Sequence, residues 1–239
     1  MPEITVAGGV RMPTGILCAS DEELAPFLPM IEHRAVSRRA MLDFYTGSIS
    51  GTDVVVLFCG VCKVNAAIAA QILIDHYGCS RIINAGTAGA ISSQVRVFDT
   101  IVSTEAVYHD VDAEILTEFH PWMDTPCFPA DQALLACARH TAQTLAATHR
   151  TLFGRMVTGE AFITDERKDQ ISEAYAPLSV DMETAGIAHV CYVNQIPFIA
   201  VRSVTDGANP DSNADFEANC AKASGLSAEF VKEMLRNLK

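Results

Sequence analysis

The chain has 239 residues, 49% of them hydrophobic and 19% charged, with a net charge of −12 and a mean hydropathy of +0.20. That is enough apolar material for one sizeable α/β core and too much for a disordered chain. The acidic balance argues against nucleic acid or an anionic membrane as a partner, because phosphate recognition needs a basic face.

In chain order, Gly15 to Ser20 reads as a buried strand and Glu22 to Glu32 as a short helix broken by Pro26 and Pro29. Phe44 to Ser50 and Thr52 to Cys59 suggest a hairpin turning at Ser50-Gly51. Val64 to Tyr77 carries apolar residues at helical spacing and stops at Gly78, a common residue just past a helix end. Arg81 to Ala85 is a predicted strand, followed by a glycine-bearing loop, Gly86-Thr87-Ala88-Gly89. Thr100 to Val107 is a strand, His109 to Ala130 a long irregular loop, Gln132 to Ala147 a helix and Arg150 to Val157 a strand. Leu178 to Met182, Glu183 to Val193 and Phe198 to Val204 repeat strand, helix, strand, and Asn213 to Leu238 closes the chain as helix. This alternation implies one α/β domain over 1–239, with residues 1–13 as an N-terminal extension and helices on both faces of the sheet. Its longest apolar runs fall short of the ~18 residues of a membrane span, and Met1 to Pro13 lacks the basic-then-apolar order of a signal peptide. Cys18, Cys59, Cys137 and Cys191, among eight cysteines, sit in apolar runs as free buried thiols do. A cytoplasmic protein is expected.

Carboxylates gather at predicted strand ends: Ser20-Asp21-Glu22-Glu23, Asp181-Met182-Glu183 and Thr205-Asp206-Gly207. Open α/β sheets place ligand groups at that edge, and without Cys/His clusters of metal spacing the pattern suggests metal-free acid–base work or hydroxyl binding. Each has a plainer role open to it. Ser20 with Glu23 fits a capping box, Glu183 could favour a helix N-terminus, and Asp206 could cap a turn. The Gly86–Gly89 loop matches neither a Walker A loop nor a dinucleotide fingerprint. Cys59-Gly60-Val61-Cys62 has the spacing of a redox dithiol but lacks that motif's context, and the reading as inert thiols is preferred. His109 and His189 read as structural.

The same segments carry a resemblance. Ile82-Ile83-Asn84-Ala85-Gly86-Thr87-Ala88-Gly89, Val157-Thr158-Gly159-Glu160-Ala161-Phe162-Ile163, Val180-Asp181-Met182-Glu183-Thr184-Ala185 and Val201-Arg202-Ser203-Val204-Thr205-Asp206, in this order, resemble the 5′-methylthioadenosine/S-adenosylhomocysteine nucleosidase family of the nucleoside phosphorylase superfamily. Tyr45-Thr46-Gly47 and Tyr108-His109-Asp110 add to it. The resemblance implies a three-layer α/β/α sandwich with a central mixed sheet, a homodimer, a small nucleoside as the partner and no cofactor or metal. Asp206 would be the general acid that protonates adenine N7, and Glu23 the base that activates water. Glu183 would take the ribose hydroxyls, with Met182 beneath the sugar and Arg202 orienting Glu183. Phe162 would lie against the adenine, the Ile163 backbone would read its edge, and Thr87 would orient Asp206. Ala88, Thr205, Ala208 and Val61 would complete the pocket, with Phe216 shaping the 5′ end. Phosphorolytic relatives hold phosphate with arginines before the glycine-rich segment and after the first strand; here those places read Asn84-Ala85 and Ser20-Asp21-Glu22-Glu23, which favours water. Phosphorolysis and non-catalytic nucleoside binding on the same fold are the alternatives. Residues 113–128 depart most from the family, leaving the 5′ substituent open.

Overall fold

The computed structural model describes residues 12–164, 167–209 and 211–238, so nearly all of the expected N-terminal extension lies outside the described residues. Among them, ten strands form one mixed sheet in the order β10-β6-β8-β9-β5-β1-β4-β3-β2, with β7 beside β6. These are β1 (Thr14–Cys18), β2 (Glu32–Arg39), β3 (Leu42–Ile49), β4 (Thr52–Phe58), β5 (Arg81–Ala90), β6 (Thr100–Tyr108), β7 (Phe128–Pro129), β8 (Thr151–Thr158), β9 (Ser179–Asp181) and β10 (Phe198–Asp206). Because β10 pairs with both β6 and β5, the strands β5, β10, β6, β8 and β9 close into a ring. The helices are α1 (Asp21–Leu24), α2 (Lys63–Asp75), α3 (Ala113–Glu118), α4 (Gln132–Thr144), α5 (Arg167–Tyr175), α6 (Thr184–Asn194) and α7 (Ser212–Asn237).

Period-two alternation in the central strands produces the layers. Ile16, Cys18, Val54, Val56, Ile83, Ala85, Ile199 and Val201 point to one face and pack on Leu24 of α1, Leu134 and Ala138 of α4, and Phe230, Val231 and Met234 of α7. Leu17, Val55, Leu57, Ile82 and Ala200 point to the other, against Ala66, Ala69 and Leu73 of α2 and Ala185, Ala188 and Cys191 of α6. Strands buried on both faces read as continuous apolar runs. All nine residues of β10 are buried.

Several expectations are corrected. The predicted helix over Glu22–Glu32 shrinks to α1 and a 3₁₀ turn at Leu28–Met30, because Pro26 and Pro29 cannot continue the backbone hydrogen bonding. Residues after it form β2, which is exposed along its whole length. The Gly86–Gly89 stretch is no loop: β5 continues to Ala90, paired with β10 and then β9. The long irregular segment contains α3 and β7, and α5 fills what was unassigned before β9.

Candidate active site

The tops of β1, β5, β9 and β10 open into a cavity of about 380 Å³. Glu23, Val61, Thr87, Ala88, Phe162, Ile163, Met182, Glu183, Arg202, Thr205, Asp206 and Phe216 all line it, joined by Ala19, Ser20, Gly89, Asp181 and Asn213. Ala208 does not. It packs behind, in a cluster with Ile163 and Val180, and its backbone N–H donates to Asp206 Oδ1 at 2.8 Å.

Glu23 is buried in the single turn of α1. Half of the capping box forms, since Ser20 Oγ accepts from Glu23 N at 3.3 Å. The Glu23 carboxylate turns away from the cap: Oε2 accepts from Ala19 N at 2.6 Å, and Oε1 from Thr87 N at 2.7 Å and Thr87 Oγ1 at 2.9 Å. This corrects the role expected for Thr87, whose hydroxyl is committed to Glu23 rather than to Asp206. Asp206 is oriented instead by the Thr205 hydroxyl, which donates to Oδ2 at 2.8 Å, and by Ala208 N. A register irregularity between Val204 and Asp206 re-aims the strand end, as bulges do.

Small residues in β5 let both carboxylates approach. A Cβ on Gly86 would sit 2.4 Å from Glu23 Cδ, and one on Gly89 would sit 3.0 Å from Asp206 Oδ1. The glycines are therefore seats for side chains rather than loop hinges.

Arg202, 1% exposed, ties the floor together. Nη1 donates to Thr87 O at 2.8 Å, Nη2 to Asn84 Oδ1 at 3.0 Å and Glu183 Oε2 at 3.1 Å, and Nε to Thr184 Oγ1 at 3.1 Å. Asp181 Oδ2 lies 3.6 Å from Nε and Glu23 Oε1 3.9 Å from Nη1. Burial opposes the guanidinium charge, but Asp181, Glu183 and Glu23 together push its pKa up. Glu183 also accepts from Cys62 N at 2.9 Å. Its carboxyl is pushed up to about 7 by burial, with Arg202 opposing the shift and the carboxylates of Asp181 and Glu23 reinforcing it.

Burial and neighbouring carboxylates outweigh what would activate the thiols, such as the Lys63 ammonium and the α2 N-terminus at Cys62. Burial, aided by the carboxylates Glu183 and Glu23, pushes Cys59 far up, and burial with Glu160 pushes Cys62 up to about 11, so thiolate is scarce at neutral pH. His189 stacks on Phe128 with ring centroids 5.0 Å apart. Among the described residues no three His, Cys, Asp or Glu side chains are grouped to hold a metal ion.

With this geometry in place, known proteins supply a lineage. The model of the phosphorylase superfamily matches residues 13–236. A protein of Anoxybacillus flavithermus named 5′-methylthioadenosine/S-adenosylhomocysteine nucleosidase is 35% identical over 233 residues, covering 95% of this chain and 99% of its own. The chain belongs to this nucleosidase family. The structure of S-adenosylhomocysteine nucleosidase from Streptococcus pyogenes, in complex with 5-methylthiotubericidin, superposes with a TM-score of 0.90 at 30% identity, covering 98% of this chain and 100% of that one. Futalosine hydrolase of Helicobacter pylori superposes with a TM-score of 0.88 at 25% identity, covering 96% and 100%.

Three members of this candidate site escaped the sequence reading of roles. Asn84, buried mid-strand, accepts from Arg202 and Thr184 Oγ1 through its Oδ1. Asp181 Oδ1 accepts from Glu183 N, Thr184 N and Thr158 Oγ1, capping α6 beneath Glu183. The Cys62 backbone reaches Glu183 from 121 residues away. A polar residue inside an apolar run, as at Asn84, was the available signal; the backbone donor left none.

Proposed function

We propose that the protein cleaves the N-glycosidic bond of 5′-thio-substituted adenine nucleosides, 5′-methylthioadenosine and S-adenosylhomocysteine, with water, giving adenine and a 5-thioribose sugar. The observation that carries this is the seating of Glu23 and Asp206 against Gly86 and Gly89 of one strand. Both carboxylates line the same cavity, as an acid and a base do when water must stand between them in direct displacement at a sugar carbon.

In this reading protonated Asp206 gives its proton to adenine N7, the electrons of the C1′–N9 bond leave with the base, and the sugar passes through an oxocarbenium-like state. Glu23 takes a proton from the attacking water, which bonds to C1′. A carboxylate oxygen has two lone pairs; Oε1 already accepts twice from Thr87 and Oε2 once from Ala19 N, so Oε2 has room for the water. Glu183 would bind the ribose hydroxyls over Met182, held by Arg202. Phe162 would cover the adenine and the Ile163 backbone read its edge, while Thr87, Ala88 and Thr205 line the floor and Ala208 supports Asp206 from behind. Val61, 48% exposed at the mouth, and Phe216, whose ring meets Phe162 edge-on at 6.0 Å, make an apolar 5′ end suited to a thioether.

Product identity in phosphate-free, chelator-treated buffer tests this: adenine with a free 5-thioribose sugar is expected. Turnover that appears only with phosphate, or a sugar carrying phosphate, would replace hydrolysis by phosphorolysis.

We infer further that two copies associate. Val64 and Ile68 of α2, Tyr192 of α6, and Ile115, Phe119 and Trp122 of the α3 segment are exposed apolar side chains on elements that share one buried cluster, and such a surface marks an interface. Among the described residues no helix is long and apolar enough to cross a membrane. All eight cysteines are free and five of them buried, as expected for a protein in a reducing compartment.

A further inference from the structure

Asp206 ends β10 with the peptide carbonyls on both sides of it held by side chains from different helices. Asn219 of α7 donates Nδ2 to Thr205 O at 2.9 Å, and Lys168 of α5 donates Nζ to Gly207 O at 2.5 Å. The bracketed stretch is irregular: the strand slips register before Asp206, and Ala208 sits at φ 48°, a left-handed conformation that costs a non-glycine residue ~1 kcal/mol or more. Something must hold it in place.

The Gly207 carbonyl and the Ala208 N–H belong to one planar peptide unit. Lys168 therefore bonds the oxygen of the same amide whose N–H donates to Asp206 Oδ1 at 2.8 Å. Fixing that oxygen fixes the direction of the N–H on the opposite edge of the plane. A cation on the carbonyl also polarises the amide and strengthens the N–H as a donor, as in hydrogen-bond chains generally. The helix that carries Lys168 is anchored in the same place, since Ile171 of α5 shares an apolar cluster with Ala208 and with Ile163 of the cavity wall.

We propose that Lys168, with Asn219 on the other side, is a positioning residue for the proton donor: its ammonium, acting through the Gly207–Ala208 peptide, holds the Asp206 carboxyl where it meets the leaving base. The proposal rests on Asp206 being the general acid.

The test compares two substrates. Adenine must be protonated to leave 5′-methylthioadenosine, whereas 4-nitrophenolate leaves the 4-nitrophenyl glycoside of 5-methylthioribose unaided. Losing a hydrogen bond from a charged donor costs about 10-fold or more, so Lys168→Met should lower kcat on 5′-methylthioadenosine about 10-fold more than on the nitrophenyl glycoside. KM should change little, and Lys168→Arg, which keeps a cationic donor, should recover most of the difference. The ratio of the two rates is independent of how much enzyme is folded. Asp206→Asn, run in parallel, should show the same split more strongly. If Asp206→Asn loses both substrates equally, the acid has been misassigned. If Asp206→Asn shows the split while Lys168→Met keeps the wild-type ratio, or Lys168→Arg fails to restore it, Lys168 has no positioning role.

Discussion

Replacing Gly86 by alanine would test the site geometry without touching a functional group. The added methyl carbon would stand 2.4 Å from Glu23 Cδ and 2.4 and 2.5 Å from its two oxygens, more than 1 Å inside the ~3.5 Å of ordinary contact. The carboxylate is pinned on both oxygens by Ala19 N, Thr87 N and Thr87 Oγ1, so it yields only by giving up at least one of these bonds. A hydrogen bond to a charged group is worth about 1.5–3 kcal/mol, which for a chain of this size lowers Tm by roughly 3–10 °C. A reacting group displaced by about 1 Å can cost ~10²-fold in rate. Gly86→Ala should therefore fold, melt a few degrees lower and release adenine about 100-fold more slowly, as followed by ultraviolet absorbance and a thermal melt. Gly225→Ala is the control: on α7, with nothing within 4 Å of the new carbon, it should keep full activity. Wild-type kcat and Tm in Gly86→Ala would show that Glu23 is neither pinned nor catalytic where the structure puts it.

Glu23→Gln keeps the side chain's shape but turns an oxygen into an amide NH₂ that must face Ala19 N–H or the two Thr87 donors. It should lose about 10²- to 10⁴-fold in kcat and, unlike a simple capping residue, about 1–3 kcal/mol of stability; native stability would return Glu23 to the cap. Glu183, raised from 4.5 to about 7 by burial, keeps its proton in the folded chain where the unfolded chain has lost it. Its contribution to stability is thus full below about pH 4.5 and lost as pH rises through 7, on the order of 3 kcal/mol. Urea melts should show the stability of wild type relative to Glu183→Gln falling across that window, and a flat difference would refute the shift. Trp122→Glu should halve the sedimenting mass if the α2, α6 and α3 surface is the dimer face, and an unchanged mass would place the interface elsewhere.

Much of this was legible in the sequence because the core obeys simple periods. Leu17, Ile82 and Ala200 alternate with Ile16, Ile83 and Ile199 between two helical layers, so apolar runs marked the central strands. The pattern failed where burial stopped. The strand β2 is exposed throughout and had no alternation to reveal, and α5 has Ile171 as its buried residue. At the site, the sequence placed the glycines in the wrong element. Gly86 and Gly89 read as part of a loop, yet they are in-strand gaps that admit carboxylates arriving from Glu23 and Asp206. That depends on a contact spanning 64 residues, which no local window contains. The Thr87 assignment failed for the same reason: its hydroxyl is within reach of Glu23 once β5 extends through it.

The electrostatics of the cavity explain why this scaffold suits water. The Arg202 guanidinium is committed to Thr87 O, Asn84, Thr184 and Glu183, and its charge is shared among Glu23, Asp181 and Glu183. A phosphate dianion entering here would meet a cation whose donors are already engaged and a carboxylate, Glu23, within contact distance of its path. Like charges a few ångströms apart in a poorly hydrated cavity repel by several kcal/mol, whereas water enters without charge. In the proposed mechanism the negative charge of Glu23 and Asp181 would favour the sugar as positive charge develops on it, and Glu23, already fixed by Ala19 and Thr87, would need little reorganisation as the bond breaks. In that reading the features that disfavour phosphate are also those that would stabilise the cation-like sugar, so a change that drew phosphate in, such as an arginine at Ser20, should slow hydrolysis before it gained phosphorolysis.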